Sequence, residues 1–268
     1  MLFRSSENPN FSLFQAGPSG SPYNRIVGRQ RTAPVANVSL LDVGAALTLA
    51  GVGGLSISAT ALELWSIYAS DGAKFGTTGE QISINKGLMV PRTLTIQDGQ
   101  DAEIAYDIYM GSVAGAAPYS ISSAQVTPTP AFASLWTLGA VTLDGSLSPV
   151  QSVSVDFGWQ VRQIFGDGSE WPVLVYAAKM QPTITIETLM PEALATATVE
   201  GTLTAVSITI AKQATGAGRA GIGDLTITCA QQFVHVDSVG GGPGAEAATR
   251  LTITPSSNDG TTSPISIV

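Results

Sequence analysis

The sequence predicts a mainly β protein, an antiparallel β-sandwich or barrel with one short flanking α-helix. Three observations predict that class. Apolar residues alternate with Ser or Thr through most of the 268 residues, the period of a strand with one buried face. The alternating positions are rich in Thr, Val and Ile, whose branched side chains suit a pleated surface. Asp-Gly pairs stand at 71–72, 98–99, 144–145, 167–168 and 259–260, and each supplies the positive-φ chemistry of a tight hairpin turn.

Composition narrows the function classes. Hydrophobic residues make up 44% of the chain and charged residues 12%, the opposite of a disordered composition. The length suits one domain with a sizeable core. A net charge of -8 repels phosphate and argues against tight nucleic-acid binding by the body of the protein. With one cysteine, Cys229, and one histidine, His235, a single chain builds neither a disulfide framework nor a Cys/His zinc site.

Residues 1–34 read as an extended basic N-terminal arm, and 35–268 as a single β domain. The arm carries Pro9, Pro18, Pro22 and Pro34, and it sets Arg4, Arg25, Arg29 and Arg31 against Glu7 alone, a local charge of +3 that leaves the rest at -11. A solvated tail is the plain reading. The functional reading is that these four arginines make inter-subunit contacts with an acidic neighbour, another copy of the chain. The first residues hold no apolar run of signal-peptide type.

Residues 43–62 are twenty positions without a charge, long enough for a membrane span. Gly44, Gly51, Gly53 and Gly54 and the alternation Leu47-Thr-Leu49 and Leu55-Ser-Ile-Ser58 predict instead a hairpin whose turn is residues 51–54, with no membrane as partner. Strand patterns follow at 81–84, 92–96, 102–109, 153–161, 183–186, 203–210, 225–228, 233–236, 251–254 and 265–267. Residues 111–133 and 238–248 read as long loops. A capping hydroxyl at Thr188, Pro191 and Glu192 in the first turn, an Ala-rich middle and Gly201 predict a helix over 190–200.

Candidate chemistry is sparse. Gly216-Ala-Gly218-Arg-Ala-Gly221 matches a dinucleotide fingerprint, but a strand pattern follows it, where the fingerprint needs a helix N-terminus. No cofactor is expected. His235 and Asp237 stand two apart in a strand, a spacing that would orient an imidazole for base catalysis, yet no nucleophile setting accompanies them and a structural histidine is expected. Asp98, Asp101, Glu103 and Asp107 lack EF-hand spacing, so a solvated turn is expected rather than a metal or glycosidase site. Trp171, in the turn Gly166-Asp-Gly-Ser-Glu-Trp171-Pro172, reads either as an interface anchor between subunits or as a core residue near a loop. No catalytic residue is assigned.

The run Val150-Gln-Ser-Val-Ser-Val-Asp-Phe-Gly-Trp-Gln-Val-Arg-Gln-Ile164, the Gly-Asp-Gly-Ser turn, Trp171-Pro172 and Gln181-Pro-Thr-Ile-Thr-Ile-Glu187 resemble the central part of tail tube proteins of long-tailed bacteriophages. The C-terminal order of strands and Gly-rich loop is similar too. The resemblance covers about two thirds of the chain and rests on strand and turn patterns, with residues 1–34 and 111–133 outside it. It implies a virion structural subunit that is not an enzyme. Six copies would form a ring, and stacked rings a tube whose lumen passes DNA without specific binding, with other tail proteins as partners. Low surface charge and small side chains fit assembly independently, because they cost little to desolvate and order. Two other readings stay open: a capsid decoration subunit, and a carbohydrate-binding or carbohydrate-acting β protein.

Overall fold

A computed structural model describes residues 5–7, 10–16, 26–58, 61–67, 78–125, 134–144, 146–147, 149–166, 168–189, 200–203, 206–213, 223–229, 231–240, 248–257 and 259–268. The chain opens with β1 (Ser5–Glu7), β2 (Asn10–Ala16), β3 (Ile26–Ala33) and β4 (Val35–Leu40). The helix α1 (Val43–Ala50) leads into β5 (Leu55–Ile57), β6 (Leu62–Ile67), β7 (Thr78–Ile84), β8 (Gly87–Gln97), β9 (Glu103–Met110) and β10 (Tyr119–Gln125). Then come β11 (Leu135–Leu143), β12 (Ser146–Leu147), β13 (Val150–Asp156), β14 (Trp159–Ile164), β15 (Leu174–Met180) and β16 (Thr183–Thr188). The chain closes with β17 (Glu200–Leu203), β18 (Val206–Gln213), β19 (Leu225–Cys229), β20 (Gln231–Gly240), β21 (Ala248–Ser256) and β22 (Ile265–Ile267).

The architecture is mainly β and every strand pairing is antiparallel. The large sheet runs β1-β4-β9-β8-β13-β16-β21-β20-β17, with β5 beside β8, and a second sheet runs β12-β11-β18-β19-β22. Alternation decides which face is buried. On β13 and β16, Val153, Val155, Ile184 and Ile186 are fully buried, while Ser152, Ser154, Thr183 and Thr185 are only half-buried. Leu94, Ile104, Leu251 and Ile253 extend that row, and Trp136, Leu138, Ile208, Ile210 and Ile227 of the second sheet join them in one core. Each such aliphatic side chain contributes about 1.5–3 kcal/mol on burial. A three-stranded sheet, β10-β7-β6, adds Leu64 and Ile84 to this core, and β14 with β15 and β2 with β3 form two-stranded ribbons.

The structure corrects two expectations. Leu47-Thr-Leu49 is not a strand but the last turn of α1. Asp42 caps that helix by accepting a hydrogen bond from the Ala45 N–H (3.1 Å), and Thr48 turns its hydroxyl back to the Gly44 carbonyl (2.8 Å). Three alternating residues are too few to separate the two periods, and the cap prevails. The turn at 51–54 therefore joins a helix to β5. Nor are residues 111–133 one loop, because Tyr119-Ser-Ile-Ser-Ser-Ala-Gln125 forms β10 against β7. The helix expected over 190–200 lies outside the described residues, where α1 is the only helix among those described. None of the described helical residues makes a helix long and apolar enough to cross a membrane. Of the Asp-Gly turns, Gly99, Gly168 and Gly260 take φ values of +71°, +69° and +72°, and 71–72 lies outside the described residues.

Candidate functional site

The hairpin of β14 and β15 is the most distinctive surface. It leaves the large sheet where Asp156 pairs with Thr183 and resumes at Trp159 opposite Met180. Gly158, at φ +59°, makes that bend, and a Cβ there would run into the Gln181 backbone, with the Gln181 carbonyl carbon 2.7 Å away. Inward-facing side chains then fasten the ribbon. Trp159 Nε1 donates to the Val52 carbonyl (3.2 Å), and Gln163 Nε2 donates to the Met110 carbonyl (3.1 Å). The far turn is held by Lys86 Nζ on the Val173 carbonyl (2.9 Å) and by the Ser112 N–H on the Pro172 carbonyl (2.6 Å). An open cavity of about 440 Å³ lies between these turns, with Lys86, Ser112 and Ser169 among its lining.

The outward face is exposed and sets apolar side chains beside Gln160 and Arg162. Ile164 pairs with Leu174 and Arg162 with Tyr176, and Ile164, Leu174 and Tyr176 are 42%, 48% and 42% exposed. Large apolar side chains gathered on one exposed face mark an interaction surface. Alternation alone does not reveal this face, because Gln163 takes the inward position and Ile164 the outward one.

The arm residues reach this hairpin. β2 pairs with β3, and β1 joins the edge of the large sheet at β4. Arg31 lies over the Phe165 ring, 5.3 Å from its centroid, and the Thr32 N–H donates to the Glu170 carbonyl (2.8 Å). Arg31 thus contacts its own chain's hairpin turn. Arg29 lies on β3, while Arg4 and Arg25 lie outside the described residues. Trp171 is half-buried in the same turn, its N–H donating to Ser169 Oγ (3.1 Å).

Charge divides along the strands. The end of β8 and β9 near this turn carries Lys86, with Arg31, Arg162 and Glu170 around it, while Lys179 stands at the base of the hairpin opposite Gln160; the opposite end, at the β8–β9 turn, carries exposed Asp98, Asp101 and Glu103. Asp107, the fourth member of the expected acidic cluster, is not with the others. It lies on β9, accepting from Asn37 Nδ2 (2.5 Å) and sitting 3.5 Å from Arg92 Nε. Burial, and then Asp107, push the neighbouring Tyr109 hydroxyl's pKa up. Among the described residues no three His, Cys, Asp or Glu side chains form a group able to hold a metal ion.

His235 and Asp237 do meet, Nε2 to Oδ1 at 3.8 Å, on an exposed surface. Asp237 is the extra residue of a bulge, since Val236 pairs with Leu251 and Ser238 with Arg250. Its carboxylate accepts from the Thr252 hydroxyl and lies 3.9 Å from Arg250 Nε, so the nearest hydroxyl is committed to the carboxylate. The Gly216–Gly221 segment lies outside the described residues, but the antiparallel partners β18 and β19 flank it and no helix follows among the described residues. At the chain end the Asp259 carboxylate accepts from the N–H groups of Thr261 (2.8 Å) and Thr262 (2.7 Å), which hold its pKa well below the usual carboxylate range.

Cys229 is the one free thiol, and burial pushes its pKa from 9.0 up to about 12. Cys229 is half-buried and the thiolate is the reactive form, so native protein at pH 8 should react with a disulfide reagent at least tenfold more slowly than unfolded protein. Rapid native labelling would contradict this burial. The sign of the linked stability follows: the unfolded thiol ionises first, so this contribution is whole below pH 9 and is lost as pH climbs toward 12.

Comparison with protein-family models and with curated proteins finds no match for this chain.

Proposed function

We propose that the chain is a structural virion subunit of the tail-tube kind, made in the host cytoplasm, that assembles head to tail into stacked rings around a channel for DNA. The observation that carries this reading is the polarity of the subunit. One end bears the exposed apolar hairpin with Arg31, Lys86, Arg162 and Lys179, and the other bears Asp98, Asp101 and Glu103. Unlike ends generate open, repeating contacts rather than closed pairs. Opposite charges set orientation, and apolar contacts supply adhesion. The function lies in the surface, with no catalytic step, and an acidic body lets DNA slide past without sticking.

Negative-stain imaging of concentrated protein is expected to show rings or tubes that shorten in high salt, as screening weakens the charged ends. The double substitution Arg162→Glu and Lys179→Glu, at exposed positions, should abolish stacking while preserving the fold by circular dichroism. Deleting residues 1–30 should likewise shorten polymers. Strictly monomeric protein at high concentration would overturn the reading. Trimers that decorate capsids without forming tubes, or a glycan-array signal lost in Asp101→Asn, would replace it with the decoration or carbohydrate alternative.

A further inference from the structure

Exposed sheet edges offer rows of unpaired N–H and C=O groups, and proteins blunt them with charge, bulges or brevity. Most edges of this fold are blunted so. β6 carries Glu63, β17 begins at Glu200, β3 carries Arg29 and Arg31, and β14 and β15 carry Arg162 and Lys179. β1, β5, β12 and β22 are three residues or fewer. β2 is uncharged but is interrupted by a register shift at Ser12 and Leu13.

β10 has none of these protections. Its seven residues, Tyr119-Ser-Ile-Ser-Ser-Ala-Gln125, hold no charge and no proline, and they pair with β7 without a register shift. β7 occupies one side of the strand, and among the described residues nothing pairs with the other. Ile121 on this strand is 56% exposed.

We propose that the open edge of β10 pairs antiparallel with β10 of a second copy of this chain, about a two-fold axis at Ser122. The strand is complementary to itself. Centring on Ser122, the middle of seven residues, keeps every residue paired, whereas any slip leaves some unpaired. That register sets Tyr119 against Gln125, Ser120 against Ala124 and Ile121 against Ser123 of the partner copy, with no like charges opposed. Two three-stranded sheets merge into one of six. The contact is isologous and closes on itself, so it is separate from head-to-tail stacking and does not rest on that reading.

Cysteine cross-linking tests the register. In a Cys229→Ser background, Ser122→Cys places two thiols directly opposite, within the span of a disulfide. Mild oxidation is expected to give a covalent dimer on a non-reducing gel. Ser120→Cys, which faces Ala124 of the partner, should yield at least fivefold less. Adding Ile121→Lys to Ser122→Cys should suppress the dimer, and circular dichroism and light scattering on each variant report the fold and the mass. A folded Ser122→Cys protein that stays uncross-linked, or equal yields from Ser120→Cys and Ser122→Cys, would overturn the proposal. Tubes without the cross-link would remove this contact alone, and the cross-link without tubes would remove the stacking proposal alone.

Discussion

Gly158→Ala is expected to lower stability by about 2–5 kcal/mol, since a left-handed backbone costs a non-glycine residue about 1–2 kcal/mol and a new atom forced against packed neighbours adds about 1–3 kcal/mol. Gly158 stands at φ +59°, and its missing Cβ is what lets the Gln181 backbone pass. The bend is further fixed by the Gly158 N–H donating to Asp156 Oδ1 (2.9 Å) and by the Gln181 N–H donating to the Gly158 carbonyl (3.2 Å). Thermal unfolding should show the midpoint falling by roughly 10 °C for a protein of this size. Backbone moves that relieve the clash would also re-aim the hairpin, so the tube formation proposed above should fail in protein that is still folded. An unchanged midpoint would mean that the bend tolerates a side chain and that the ribbon is not rigidly aimed.

Asp42→Ala is expected to cost about 2–3 kcal/mol, the sum of a lost helix cap and a buried indole N–H left without its acceptor. The carboxylate does both tasks at once. It accepts from the Ala45 N–H (3.1 Å) and from Trp136 Nε1 (3.4 Å), and it is itself buried. Trp136 is the bulkiest side chain that the second sheet contributes to the core, and its carbonyl also accepts from the Ala102 N–H (2.6 Å), linking β11 to the turn after β8. Asp42→Asn keeps an oxygen acceptor and should recover most of the loss. Urea titrations of the three proteins decide the matter, and equal midpoints for the Ala and Asn variants would show that the acceptor is not what stabilises α1.

Much of the fold was legible because a sheet with one buried face writes its period directly into the chain. Thr183-Ile-Thr-Ile186 and Leu251-Thr-Ile-Thr254 alternate in sequence, and in the structure they pair and bury Ile184, Ile186, Leu251 and Ile253. What alternation does not encode is which strand lies beside which. The seating of β13 between β8 and β16 depends on long-range packing that no local pattern specifies. The helix α1 was hidden for the opposite reason: Leu47, Thr48 and Leu49 satisfy both periods, and the deciding contact comes from Asp42 and the distant Trp136. β10 was hidden by composition, since serine and alanine resemble a loop until β7 supplies a partner.

Of the candidate surface, the basic residues were visible as letters but not as a location. Arg31 over Phe165 brings together residues from β3 and the turn after β14, and Arg162 and Lys179 come onto one ribbon only through the pairing of β14 with β15. The apolar outward row of Ile164, Leu174 and Tyr176 depends on which face of the ribbon meets the body, and the bonds of Trp159 and Gln163 determine that.

The seating of β13 has a kinetic consequence. Local ribbons such as β8 with β9 and β14 with β15 need only short loops to close, whereas Leu94 must find Val155 and Ile186 must find Leu251 across long stretches of chain. Closing such loops costs entropy before any packing returns it, so folding belongs to the slow, millisecond-to-second class of non-local β topologies. During that interval the β13 and β16 ribbon displays Val153, Val155, Ile184 and Ile186 without a cover. If the chain assembles as proposed, it must finish its own sheet before it meets its neighbours, so that the order of those two events governs how much chain reaches the assembled state.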